Sequence, residues 1–127
     1  MPAEVHVGST LRMLVVDDDA GIRALLEVSA QLDPRFELVG SAATAHDALE
    51  SLRASGHGDD SIDVVLLDVT LPDRDGIELI GDVRRVAPDA SIVLFTGWSD
   101  PGTVARARSA GADAILCKDG DPKRLLD

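Results

Sequence analysis

Five polar side chains stand directly behind apolar runs in this 127-residue chain. Met13-Leu14-Val15-Val16 runs into Asp17 and Asp18, and Val64-Val65-Leu66-Leu67 runs straight into Asp68. Ile92-Val93-Leu94-Phe95 ends at Thr96, and Ala114-Ile115-Leu116-Cys117 ends at Lys118. Each has an ordinary reading. Asp17, Asp18 and Asp19 could cap a helix, Asp68 could form a turn, Thr96 could be a strand-end hydroxyl, and Lys118 could be solvated. Taken together they favour chemistry. Three carboxylates at contact distance repel one another by about 1–4 kcal/mol per pair at surface dielectric, so the arrangement calls for a cation. Hard oxygen ligands with room for water suit Mg²⁺. A cation, the Lys118 ammonium and the Thr96 hydroxyl around Asp68 would be equipped to receive a phosphoryl group on that carboxylate.

The elements that would bring these residues together follow from the hydrophobic pattern. Leu11 to Val16 reads as the first strand, and 62–67 as a central strand buried on both faces. Phe36 to Val39 is a short second strand closed by Gly40, Ser91 to Phe95 a fourth, and Asp113 to Cys117 a fifth. Between them lie helical patterns. Ile22, Leu25, Leu26, Ser29 and Leu32 recur at helical spacing until Asp33-Pro34. Thr44 is an N-cap ahead of Ala45, Ala48, Leu49 and Leu52, with Asp47 in the first turn. Gly76 to Val86 carries Ile77, Ile80 and Val83. Asp100-Pro101 opens a fourth helix that Gly111 closes, and Asp121-Pro122 opens a last helix cut short at Asp127. Strands alternating with helices predict one α/β domain, a doubly wound, mostly parallel five-stranded sheet with right-handed crossovers. In such sheets the ligand site lies outside the carboxyl ends of the strands, where the five side chains fall.

Composition narrows the classes of function. Apolar residues make up 45% of the chain, enough to build a core rather than a disordered segment. The formal net charge of −11 disfavours direct nucleic-acid binding and anionic lipid surfaces. Cys117 is the single cysteine, so no intrachain disulfide can form, and it reads as a small buried hydrophobe. His6, His46 and His57 have no zinc-like spacing. Residues 1–10 read as a polar leader without signal-peptide character. No apolar stretch approaches membrane-spanning length, so a cytoplasmic location is expected.

With these residues in view, the chain resembles the receiver domains of two-component response regulators. The similar blocks are Val15-Val16-Asp17-Asp18-Asp19, Val64 to Gly76 (including Asp68, Thr70, Leu71-Pro72 and Asp73), Thr96-Gly97 and Lys118. They come in the family's order over residues 11–127. The resemblance implies a flavodoxin-like (CheY-like) fold with strand order 2-1-3-4-5. It implies Asp68 as phosphoacceptor, receiving its phosphoryl group from a phosphohistidine of a sensor histidine kinase or phosphotransfer protein. It implies Mg²⁺ held by Asp17, Asp18, Asp68 and the backbone carbonyl of Thr70, with Thr96 and Lys118 on the phosphoryl oxygens and Gly97 leaving room for them. Such a domain signals rather than acting as an enzyme on a separate substrate, although it assists its own phosphotransfer and dephosphorylation. It also implies a face for homodimer formation and an output domain in a longer parent chain.

Three positions depart from the family pattern. Ile115 replaces the usual aromatic three residues before the lysine, and Asp119 follows the lysine where proline is common, as in receivers joined to LuxR-type helix-turn-helix domains. Trp98 stands two residues past Thr96, where side chains tune water access. Competing readings are weaker. Asp73-Arg74-Asp75-Gly76 superficially matches the nucleophile motif of haloacid-dehalogenase-type phosphatases, but Leu71-Pro72 precedes it where a buried strand should. Counting back from Gly76 places Leu71 where a calcium loop needs its first carboxylate. A phosphorylation-independent docking module would have been free to lose Asp17, Asp18, Asp68, Thr96 and Lys118.

Overall fold

The computed structural model describes residues 10–56, 60–97 and 101–117. Within them the chain alternates strictly between strand and helix: β1 (Leu11–Val16), α1 (Ala20–Gln31), β2 (Phe36–Ala42), α2 (Ala45–Ser55), β3 (Val64–Asp68), α3 (Gly76–Val86), β4 (Ser91–Thr96), α4 (Pro101–Ala110) and β5 (Ala114–Cys117). All four strand pairings are parallel, in the order β2-β1-β3-β4-β5, as the resemblance implies. The leader through residue 9 and the last helix opened by Asp121 lie outside the described residues. None of the described helices is long and apolar enough to cross a membrane.

The central strands β1, β3 and β4 are largely buried on both faces, which is why they are almost continuously apolar, whereas the edge strand β2 is half-buried and carries Glu37 and Ser41. Alternation distributes the side chains between two layers. Leu14, Val16, Val65, Leu67, Ile92 and Leu94 pack with α2 and α3, whereas Met13, Val15, Leu66 and Phe95 pack with Leu26 and Ala30 of α1. The apolar faces expected of α2 and α3 are buried as read: Ala45, Ala48, Leu49 and Leu52 on one, Ile77, Ile80 and Val83 on the other. The face of α1 is rotated from its expected position. Leu26 and Ala30 are buried, but Leu25 is 50% and Leu32 79% exposed. The helix sets a narrower stripe on the sheet than its sequence offers.

Four strands differ from the sequence reading in their bounds, β4 by taking in Thr96 and β5 by starting at Ala114, one residue each, and β2 and β3 by more. β2 continues through Gly40 to Ala42, because a register shift between Met13 and Leu14 lets the strand resume pairing as Leu14 with Gly40 and Val16 with Ala42. Gly40 sits within a bulged ladder instead of closing the strand. β3 begins at Val64 and includes Asp68, so the key carboxylate belongs to the strand's last residue. α4 ends as expected at Gly111, whose φ of +109° is a conformation that L side chains rarely adopt. There the Ala112 amide donates to the Ala107 carbonyl at 3.0 Å, reversing the chain into β5.

Candidate functional site: an acidic pocket at the carboxyl edge of the sheet

Register brings the strand ends level. Val16 lies opposite Leu67, Asp68 opposite Phe95, and Thr96 opposite Cys117. The residue after β1, the last residue of β3 and the last residue of β4 therefore share one edge of the sheet. Asp17 is fully buried, Asp68 is 6% exposed and Thr96 5%, the three buried polar residues among those described. Asp18 faces solvent. Carboxylate oxygens of Asp17, Asp18 and Asp68 all lie within 4.8 Å of one another. This is the cluster that the sequence anticipated.

Each carboxylate is set by its surroundings. The Asp17 amide donates to the Ala42 carbonyl at 3.0 Å, continuing the β1–β2 ladder one residue past the strand. Its carbonyl accepts from the Arg23 guanidinium at 2.7 Å, and its Oδ1 accepts the Asp19 amide at 2.8 Å. Asp19 caps α1, with Oδ1 accepting from Gly21 at 2.8 Å and Ile22 at 3.2 Å, the capping role expected of it. Asp68 Oδ1 accepts the Thr70 amide at 3.2 Å.

The loop from Val69 to Asp75 folds back onto the pocket. The Gly76 amide donates to the Val69 carbonyl at 2.7 Å, and Thr70 and Asp75 form an isolated antiparallel bridge. Asp75 caps α3 by accepting from Ile77 at 2.8 Å and pairs with Arg106 of α4 at 3.1 Å. Burial raises the Asp75 carboxyl, but the Ile77 amide and the Arg106 guanidinium outweigh it and hold the group below its ordinary value. Asp73 is also held low, chiefly by the Ala45 amide that donates to it at 2.8 Å.

Of the predicted site residues, Asp17, Asp18, Asp68, Thr70 and Thr96 are thus placed along one edge, and Lys118 lies outside the described residues, as do Trp98 and Asp100. β5 ends at Cys117, immediately before that lysine. Ile115, at the position where the family carries an aromatic, packs half-buried against the larger core layer. Sequence reasoning missed Arg23, which holds the Asp17 carbonyl six residues back, and Asp73 and Arg106, which act on the loop through distant partners. It also missed the close approach of Gly76 to Asp68. Only Arg23 had a local signal, a cation one turn into the helix that follows Asp17.

The donor set fits a hard cation: three carboxylates, one open to solvent, with no soft ligand among them. A doubly wound α/β domain with such a pocket at its strand ends belongs to the class that binds its ligand at the carboxyl edge of a parallel sheet. More narrowly, the chain belongs to the response regulator receiver domain family, whose model matches residues 13–127. Phosphorylation-based signalling is the standard function of that family. The chain is 32% identical over 116 residues to the uncharacterized transcriptional regulatory protein YhcZ of Bacillus subtilis, covering 91% of this chain and 52% of that protein. It therefore spans about half the length of that relative. Among solved structures, it is similar to a LuxR-family two-component response regulator from a species of Aurantimonas, with TM-score 0.82, 30% identity and coverage of 93% and 81%. It is also similar to the BeF3-activated DrrB receiver domain, with TM-score 0.75, 30% identity and 92% of each chain covered.

Proposed function

We propose that Asp68 is the phosphoacceptor of a Mg²⁺-dependent phosphotransfer, and that its donor is a phosphohistidine on a sensor histidine kinase or phosphotransfer protein. The observation that carries this reading is the placement of Asp68 at the end of β3, with its carboxylate oxygen within 4.8 Å of those of Asp17 and Asp18. An Asp68 oxygen attacks phosphorus, the bond from phosphorus to the histidine nitrogen breaks, and the imidazole leaves with the electron pair and takes up a proton. Asp17, Asp18, Asp68 and the carbonyl of Thr70 would hold Mg²⁺, which when bound neutralises charge on the phosphoryl oxygens. The Thr96 hydroxyl donates to one of these oxygens and the Lys118 ammonium offsets the charge on another. Gly97 leaves space beside them. Hydrolysis of the acyl phosphate by water on the same groups returns the domain to its resting form.

The similarity to a BeF3-activated receiver domain supports this reading. Residues 11–127 form the receiver and 1–10 its leader, in a cytoplasmic protein. The partial coverage of YhcZ and the likeness to a LuxR-family regulator support an output domain in a longer parent, with nucleic-acid contact left to that domain. The direct test is the intact mass after incubation with acetyl phosphate, with and without Mg²⁺, for the parent and Asp68→Asn. A single Mg²⁺-dependent phosphoryl adduct, absent from the variant, is the expected result. A folded parent that gains no adduct would point to a phosphorylation-independent docking module, and phosphate release independent of Asp68 to a phosphatase.

A further inference from the structure

The loop carrying Thr70 is tied to a second element by one side chain. Asp73 reaches 27 and 28 positions back along the chain to the head of α2. Its Oδ1 accepts the Ala45 amide at 2.8 Å and its Oδ2 accepts the His46 amide at 3.0 Å. Thr44 Oγ1 takes the next amide, that of Asp47, at 3.1 Å. The first turn of α2 is therefore capped jointly by its own Thr44 and by the β3–α3 loop. The base of that loop is closed by the Val69–Gly76 hydrogen bond and the Thr70–Asp75 bridge. The contact from the Thr70 amide to the Asp68 carboxylate is 3.2 Å, at the long end of the normal range. Asp73 supplies a charge-assisted, two-pronged anchor farther out on the loop.

We infer that Asp73 is a positioning residue for the acidic pocket: by clamping the loop to α2, it fixes the Val69–Thr70 backbone against Asp68 and so sets how tightly the pocket holds Mg²⁺. The inference rests on the reading of the pocket as a Mg²⁺ site. Asp73 does not touch the cation or the phosphoryl group and acts only through the loop backbone. Groups bonded directly to metal ligands commonly account for a tenfold or larger difference in metal affinity, and Asp73, acting one step farther out through the loop backbone, takes the low end of that range.

The test is calorimetric titration of Mg²⁺ into the parent, Asp73→Ala, Asp73→Asn and Thr44→Ala, with urea unfolding of each chain alongside. Asp73→Ala is expected to bind Mg²⁺ about tenfold more weakly. Excess Mg²⁺ should restore its rate of phosphorylation by acetyl phosphate. Asp73→Asn keeps one acceptor oxygen and should fall between parent and alanine variant; it also covers the case in which the alanine variant does not fold. Thr44→Ala removes a cap from the same helix end without touching the loop, so its Mg²⁺ affinity should match the parent's. Equal affinity in the parent and both Asp73 variants would overturn the inference, and so would an equal loss in Thr44→Ala, which would trace the effect to α2 alone. A folded parent that takes up no Mg²⁺ overturns the reading of the pocket itself, and that result is distinct from the other two.

Discussion

Gly76 stands directly against the backbone of Asp68: a Cβ on Gly76 would lie 2.0 Å from the Asp68 carbonyl oxygen. The neighbour is main chain at the end of a buried strand, so it cannot rotate aside as a side chain would. Gly76→Ala must push the β3–α3 loop off the strand end. The expected outcome is a loss of about 1–3 kcal/mol, as for other overpacked sites, together with weakened Mg²⁺ binding. Urea denaturation and Mg²⁺ titration check the two effects. An alanine variant equal to the parent in both would show that the loop has another seat available.

Asp75 has two partners of unequal weight. It caps α3 through the Ile77 amide and pairs with Arg106 across to α4. The ion pair is open to water, with side chains 35% and 57% exposed, so screening leaves it little net value. Asp75→Ala should cost about 1 kcal/mol through the lost cap. Arg106→Ala should cost well under about 1 kcal/mol. A double-mutant cycle separates the two contributions, and a coupling energy as large as the whole effect of Asp75→Ala would contradict this division.

At the opposite end of the sheet, Asp113 accepts the Ile92 amide at 2.8 Å and a guanidinium N–H of Arg84 at 3.0 Å. Arg84 also donates to the carbonyls of Ala90 and Gly111, drawing the start of β4 and the end of α4 onto α3. The Ile92 amide, and after it Arg84, hold the Asp113 carboxyl below its ordinary value of 3.8. Arg35 does the same for Asp33, holding it at about 2. A carboxyl depressed by folding adds stability that is fully present above its unfolded pKa and lost as pH falls through the folded one. Stability should therefore be flat in this respect above about pH 4 and decline below it. Asp113→Asn should flatten the part of that decline due to Asp113 and cost about 1–2 kcal/mol at neutral pH, mostly from the weakened bond to Ile92. Denaturation midpoints measured between neutral and acid pH test the slope; parallel curves for parent and variant would refute the assignment.

The pocket was legible because its chemistry is written locally. A buried parallel strand is continuously apolar, so the first carboxylate after Val16 and the one after Leu67 mark the strand ends without any knowledge of pairing. The caps Asp19 and Thr44 were legible for the same reason, since their partners lie two or three residues away. What stayed hidden depends on contacts between distant segments. Gly40 reads as a strand stop, yet its place in β2 depends on a register shift opposite Leu14 that belongs to the pair of strands. Asp73 reads only as part of the family block and of a phosphatase-like motif, because nothing near it announces the amides of Ala45 and His46. The outward turn of Leu25 and Leu32 likewise reflects where α1 rests on the sheet, a choice that helical periodicity alone leaves open.

The crowding of Asp17, Asp18 and Asp68 has a measurable thermodynamic consequence. Without a cation, the charge on Asp68 is held near two others, and about 1–4 kcal/mol of repulsion per pair is the scale at surface dielectric. Asp68→Asn removes that charge and keeps an oxygen that can still accept from the Thr70 amide. In chelator the variant should therefore be more stable than the parent, by about 1–2 kcal/mol once solvent around Asp18 is allowed for. Mg²⁺ should reverse the order. A ligand at a hundredfold excess over its dissociation constant adds about 2.7 kcal/mol to the state that binds it, and the variant, lacking one of three carboxylates, gains less. Urea denaturation of both chains in chelator and in Mg²⁺ gives four stabilities. If the parent is equally stable in both conditions, the pocket does not hold the cation. If Asp68→Asn is the less stable chain in chelator, the three carboxylates are relieved by the protein itself, and the repulsion that motivates a cation site is absent.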